Sequence, residues 1–293
     1  MTNAFLFPGQ ASQFEGMGKD LYESNPVAKE LFEQANDILG HKITEVMFHG
    51  SAEDLKVTKI TQPSVFLHSI ITLLSSNRGL TPKVVAGHSL GEFSALVANK
   101  TLSFEDGLNL VAIRANAMEE ACNMTKGTMA AIVGVDDQII EEVCESIEEV
   151  VVPANYNCPG QLVISGSEEG IDKAIEILKT KGAKRAIKIP VGGAFHSPLM
   201  QPAQEQLAAA INNASFSEPI APIYQNVSAV ATIDPELIKS NLISQLTSSV
   251  KWTQTLQNMI SDGADQFYEV GGKGKVLAGF MRRIDRSIPV ESL

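Results

Sequence analysis

The chain has 293 residues, 44% of them hydrophobic, which is enough for a substantial core in one large domain or in a large and a small one. Its net charge of -11 argues against nucleic acid or an anionic membrane as the main partner. Cys122, Cys144 and Cys158 have no metal-ligand spacing and read as reduced thiols of a cytoplasmic protein. No apolar run reaches transmembrane length, and the first residues carry no basic leader.

Ala4–Phe7 is a short, wholly apolar strand of the kind that sits inside a parallel sheet. A polar turn follows, Pro8-Gly9-Gln10-Ala11-Ser12-Gln13. Ser24-Asn25-Pro26 opens a helix whose apolar stripe is Val27, Leu31, Ala35, Ile38 and Leu39, closed by Gly40. Short helical pieces are expected at 43–48 and 52–55, and a longer helix from Thr61-Gln62-Pro63-Ser64 to about 76. Val84-Val85-Ala86 is a strand running into Gly87-His88-Ser89-Leu90-Gly91, and a helix starts at Glu92. Strand, sharp turn with serine at its apex, then helix is the context of a nucleophile elbow. Ser103 caps a helix reaching about Cys122, with Arg114 at the border of its apolar stripe.

The rhythm changes near Gly127. Strand 128–135, helix 136–147, strands 150–155 and 161–166, helix 167–181 and strand 183–191 follow in order. This is the split βαβ, ferredoxin-like pattern, and it places a small domain at 126–192. Residues 1–125 and 193–293 would form a discontinuous large domain with a mostly parallel sheet covered on both faces. After the insert come a loop, Gly192-Gly193-Ala194-Phe195-His196, and helix 199–212. Strand 222–227, helices 235–246 and 252–261, strand 266–270 and a last helix 276–285 complete the chain.

A serine at an elbow needs a base, because its hydroxyl is a weak nucleophile. Of five histidines, His41 and His49 lie in polar surroundings, His68 within a helix, and His88 beside Ser89, where an elbow turns it away. His196 lies in a loop where the two domains should meet, which makes it the favoured base. No Asp or Glu stands out as a third member, so a backbone carbonyl or an amide side chain would orient the ring. The N–H of Leu90 and one from the Gly9-Gln10 turn are the expected oxyanion donors. On position alone, Arg114 reads equally as a surface side chain.

Phe7-Pro8-Gly9-Gln10-x-Ser12-Gln13, Thr61-Gln62-Pro63, Gly87-His88-Ser89-Leu90-Gly91-Glu92 and Arg114 occur in that order. Asn155-x-Asn157-x-Pro159-Gly160-Gln161, Ala194-Phe195-His196 and Glu269-Val270-Gly271 follow. The ordered set resembles the malonyl-CoA:acyl-carrier-protein transacylases over essentially the whole chain. The resemblance implies an α/β-hydrolase-like large domain with a ferredoxin-like small one, and ping-pong acyl transfer in the cleft between them. It implies Ser89 as nucleophile, His196 as base, Gln10 and Leu90 as oxyanion amides, and Arg114 as the clamp on the malonyl carboxylate. It implies that the Gln245 carbonyl orients the histidine, and that Asn155 and Gln62 are polar cleft residues. In related polyketide acyltransferases an aromatic residue at the Phe195 position goes with malonyl selectivity.

Malonyl-CoA would be the substrate and an acyl carrier protein the partner, bringing its own phosphopantetheine. No permanent cofactor or metal is expected, and the chain is expected to be a cytoplasmic monomer. Lys181, Lys184, Arg185 and Lys188, or Arg282, Arg283 and Arg286, could face an acidic carrier. A serine esterase, a trans-acting polyketide acyltransferase and a non-catalytic carrier-binding subunit are the alternatives. Two positions depart from the family pattern. Gly271-Gly272-Lys273-Gly274-Lys275 lacks a usual proline and is one residue longer, and Ala11 stands where glycine is frequent.

Overall fold

Strand β1 (Asn3–Phe7) shows how the molecule is layered. Phe5 and Phe7 enter one buried cluster, while Ala4 and Leu6 enter another. Side chains alternate across a strand, so a strand buried on both sides must lie within a sheet covered on both faces. In the computed structural model, which describes residues 2–293, that sheet is mixed and mostly parallel. Its six strands run in the order β10 (Val290–Ser292), β9 (Gln266–Glu269), β1, β2 (Val84–Gly87), β7 (Ile223–Tyr224) and β8 (Ala231–Thr232), and only the β7–β8 pair is antiparallel.

The first part of the chain adds helices α1 (Lys19–Ser24), α2 (Pro26–Leu39), α3 (Ile43–His49) and α4 (Thr58–Ser75). Strand β2 (Val84–Gly87) and helices α5 (Gly91–Ala98) and α6 (Phe104–Met124) follow. A second, separate sheet then forms from β3 (Gly127–Val133), β4 (Val151–Cys158), β5 (Gln161–Ser167) and β6 (Arg185–Ile189). It is antiparallel in the order β4-β5-β3-β6, with α7 (Asp137–Glu145) and α8 (Glu168–Thr180) between its strands. Ala130, Ile132, Leu162 and Ile164 pack beneath those two helices, while Met129 and Val163 on the opposite face join the main core. The chain returns through α9 (Gln201–Asn213), β7 (Ile223–Tyr224), β8 (Ala231–Thr232) and α10 (Pro235–Ser244). Helix α11 (Trp252–Ser261), β9 (Gln266–Glu269), α12 (Val276–Ile284) and β10 (Val290–Ser292) close it. Backbone bonds from Tyr156 N–H to Val250 and from Val250 N–H to Ala154 tie the small sheet to the main body.

Several sequence expectations need correction. Helix α2 buries Ala28, Phe32, Ala35 and Asn36, one step around from the expected stripe, and Val27 is exposed. The bulky Phe32 sets that rotation by packing against Phe48 and Tyr22. Helix α4 starts at Thr58, so Pro63 lies inside it and not in its first turn. Strand β7 has only two residues, and α1, β8 and β10 were not anticipated.

The Gly/Lys loop after β9 is built on three left-handed glycines, Gly271, Gly272 and Gly274. A Cβ at Gly271 would lie 2.6 Å from the Ser69 Cα, so α4 leaves room for glycine alone. The loop delivers α12, whose first N–H groups, from Val276, Leu277 and Ala278, donate to the buried Glu269 carboxylate. That capping accounts for the glutamate of Glu269-Val270-Gly271. At Ala11 φ is 77°, a region that suits glycine and costs alanine roughly 1–2 kcal/mol.

Candidate active site

Ser89 sits between β2 and α5 at φ 53°, the left-handed backbone of a sharp elbow. The two flanking glycines are sterically required. A Cβ on Gly87 would lie 1.9 Å from the Gly91 carbonyl carbon, and one on Gly91 would lie 2.1 Å from the Phe7 oxygen. The elbow also presses on the neighbouring loop, since a Cβ on Gly9 would meet the His88 oxygen at 2.5 Å. Side chains hold the apex from both sides. The Ser89 N–H donates to Asn226 Oδ1 (2.7 Å), and the Ser89 carbonyl accepts from Gln245 Nε2 (3.0 Å).

His196, at φ 58° in the segment returning from the small sheet, meets Ser89 from the other side. Its Nδ1 lies 2.9 Å from the Gln245 carbonyl oxygen and 3.2 Å from that of Ser248. Both are acceptors, so Nδ1 carries the proton and Nε2 presents a lone pair. Ser89 Oγ donates to that Nε2 at 2.7 Å. Burial first, then the positive charge of Arg114, lowers the His196 pKa to about 3. The imidazole is therefore neutral at pH 7 and competent to take a proton.

Arg114 is fully buried, although α6 gave it an ambiguous sequence position. It donates from Nη1 to Gln62 Oε1 (2.8 Å) and from Nη2 to Gln245 Oε1 (3.2 Å) and Ser89 Oγ (3.0 Å). Burial lowers its pKa to about 10, which leaves it charged at pH 7. Its Nε has no protein partner. Gln62 is not on the cleft wall; it stands behind the guanidinium and fixes it, with its own Nε2 on Met118 Sδ.

Ser89, His196 and Arg114 open into a cleft of about 220 Å³ lying between the two sheets. Gln10 and Leu90 line it, and neither of their N–H groups is engaged by a protein acceptor. Phe195, Asn155 and Asn157 also line it, with Met129, Val163 and Ile189 of the small sheet and Leu277 and Phe280 of α12. Asn155 Oδ1 is buried without a hydrogen-bond partner. His88 does not turn away from the cleft: it lines it, and its Nε2 is bonded to Asn157 Oδ1 at 2.8 Å. His41 and His49 are exposed, and His68 is buried, accepting the Gly272 N–H at Nδ1. Three roles escaped the sequence: Asn226, Glu92, and the side chain of Gln245 as distinct from its carbonyl. Asn and Gln carry no period or charge, and their partners lie more than a hundred residues away. Among the described residues no group of three or more His, Cys, Asp or Glu side chains could hold a metal, and no helix is long and apolar enough to cross a membrane.

A strained serine, a neutral imidazole on its hydroxyl and two free amides beside it are the parts that acyl transfer through a covalent ester requires. The protein is an acyltransferase. The chain belongs to the acyl transferase domain family, whose model matches residues 4–291. The malonyl CoA-acyl carrier protein transacylase of Bacillus subtilis (strain 168) is 44% identical over 97% of this chain and 91% of its own length. The solved malonyl CoA-acyl carrier protein transacylase of Coxiella burnetii is 39% identical and superposes with a TM-score of 0.96, covering 100% of this chain and 94% of that one. A structure of a type II PKS acyl-carrier protein in complex with its malonyl-transacylase gives 35% identity and a TM-score of 0.95, covering 100% and 96% of the two chains.

Proposed function

We propose that this chain moves a malonyl group from malonyl-CoA to the phosphopantetheine thiol of an acyl carrier protein through a malonyl ester on Ser89. In the first half-reaction Ser89 Oγ attacks the thioester carbonyl while His196 Nε2 takes its proton. The Leu90 and Gln10 N–H groups receive the oxyanion, and the imidazolium returns the proton to the departing CoA sulfur. In the second, His196 deprotonates the carrier thiol, whose sulfur attacks the ester carbonyl; the bond from that carbon to Ser89 Oγ breaks, and the imidazolium returns the proton to Oγ. The Gln245 and Ser248 carbonyls keep the proton on Nδ1 throughout. No step uses a resident cofactor or metal.

The observation that carries this reading is the buried Arg114 guanidinium 3.0 Å from Ser89 Oγ. A malonyl group differs from an acetyl group by one carboxylate, and a fixed guanidinium binds a carboxylate with two parallel hydrogen bonds. An esterase has no use for such a cation beside its nucleophile. Intact mass after incubation with malonyl-CoA or acetyl-CoA tests the reading. A malonyl adduct that is absent in Ser89→Ala, with little acetyl adduct, supports it; turnover without an adduct overturns it.

The same reading treats 1–125 with 193–293 as an α/β-hydrolase-like domain and 126–192 as a ferredoxin-like one. It takes the protein to be a cytoplasmic monomer that serves fatty-acid synthesis. The complex with a type II PKS carrier makes a polyketide carrier the second reading. Of the basic residues that could face the carrier, Lys181, Lys184, Arg185, Arg282, Arg283 and Arg286 are exposed and make no ion pair among the described residues, whereas Lys188 is paired with Asp172.

A further inference from the structure

The Ser89 backbone is held in a conformation that serine avoids, and the hydrogen bonds around it converge on one buried side chain. Asn226 is fully buried in the loop after β7. Its Oδ1 accepts the Ser89 N–H at 2.7 Å, and its Nδ2 donates to the Gly87 carbonyl at 2.7 Å. One planar amide thus bridges the last residue of β2 and the apex of the turn. Asn226 is anchored at both ends of its own peptide. Its N–H donates to Glu92 Oε1 in the first turn of α5, and its carbonyl accepts from the Lys251 N–H at 3.0 Å. Glu92 is fully buried, and burial raises its pKa to about 8. No step of the acyl transfer uses either residue.

A left-handed serine is strained and persists only where its surroundings over-determine it. The amide of Asn226 supplies a donor and an acceptor at the spacing the turn requires, and Glu92 fixes its backbone from the opposite side. We propose that Asn226, anchored by Glu92, is a positioning residue. It holds Ser89 in the reactive backbone conformation and thereby aims both Oγ at His196 and the Leu90 N–H at the oxyanion. The inference rests on Ser89 being the nucleophile. It predicts an effect on the chemical step and not on substrate binding.

The test compares Asn226→Ala and Asn226→Asp with Ser89→Ala in the full-length protein. Malonyl-CoA loading is followed by rapid quench and mass, well below the melting temperature of each variant. Asn226→Ala should lower the loading rate by about tenfold to a hundredfold while KM for malonyl-CoA changes less than about threefold. Asn226→Asp is the sharper probe. An ionised carboxylate can accept the Ser89 N–H but cannot donate to the Gly87 carbonyl, whereas a protonated one can do both. The ionisable neighbours are Glu92, which accepts the Asn226 N–H, and His196 and Arg114 beyond Ser89. The rate of Asn226→Asp relative to the unmodified protein should therefore rise as pH falls from about 8 to 5, and that of Asn226→Ala should not. If Asn226→Ala does not fold, the pH ratio of Asn226→Asp decides alone. A pH-independent ratio, or a loss appearing in KM instead of the loading rate, overturns the inference. If Ser89→Ala still turns over, the acyl-serine reading fails, and the positioning role fails with it. If Ser89→Ala is inert while both Asn226 variants load normally, only the positioning role is lost.

Discussion

The two walls of the cleft are built on opposite plans. On the main-body side, the half-buried Ser89 and the buried His196 and Arg114 are cross-bonded with one another and with the buried Gln62, Gln245 and Asn226 behind them, at distances of 2.7–3.2 Å. On the small-sheet side, Met129, Val163 and Ile189 are apolar, and Asn155 carries a carbonyl oxygen with no partner. One wall fixes charge and geometry, and the other offers shape and a free acceptor. Damage to the first should appear in the chemistry, and damage to the second in which molecules are accepted and how tightly.

The largest test removes the hydroxyl proposed to attack the thioester. Ser89→Ala should lower transfer by at least about a thousandfold and abolish the covalent adduct in intact mass. Arg114→Ala comes next. Losing charged hydrogen bonds worth on the order of 1.5–3 kcal/mol predicts a tenfold to few-hundredfold fall in kcat/KM for malonyl-CoA, with acetyl-CoA much less affected. A variant in which both thioesters fall together would contradict the division between the walls.

The pH dependence follows from the same wall. His196 titrates in the fold near 3, so kcat/KM should stay flat through pH 6.5, where an ordinary histidine base would already fail. Stability has the opposite exposure. His196 and His68, whose pKa burial lowers to about 4, stay neutral in the fold but bind protons in the unfolded chain below pH 6.5. The unfolded state then holds more protons, so stability should fall as pH drops from 6.5 toward 3. Glu92 acts from the other side, since its raised pKa withdraws stability as pH climbs from 4.5 to about 8. Thermal unfolding against pH checks both limbs, and Glu92→Gln should flatten the upper one.

The small-sheet wall should give the mildest effects. Asn155→Ala should raise KM by roughly twofold to tenfold at nearly unchanged kcat, because a free acceptor on a binding wall contributes about one hydrogen bond. Phe195→Ser, at the seam of the two walls, should raise methylmalonyl loading relative to malonyl by a few fold. Equal relative rates would remove the ring as a selectivity element.

This division also explains what could be read without coordinates. Ser89 was legible because an elbow needs Gly87 and Gly91 at fixed spacing, and steric necessity leaves a local pattern. His196 stood out by its place after the small sheet. Arg114 gained its role only from the family resemblance, since a helix-border arginine is ambiguous until its neighbours are known. Asn226 and the Gln245 side chain left no trace, because their hydrogen bonds close across 137 and 156 residues and follow no period. In the fold, the alternation of strands and helices was plain. The two-residue β7, the face of α2 and the start of α4 depend on tertiary packing, which no local pattern encodes.

The orienting partner of His196 is a pair of main-chain oxygens, and this has a practical consequence. An alanine scan deletes side chains and leaves carbonyls in place. Gln245→Ala would strip the amide from Arg114 and Ser89 yet leave the acceptor on Nδ1 intact. In a mutational screen the site would therefore pass for a two-residue device. Its third component would surface only through changes that move the backbone itself, such as proline substitutions in the turn that follows α10.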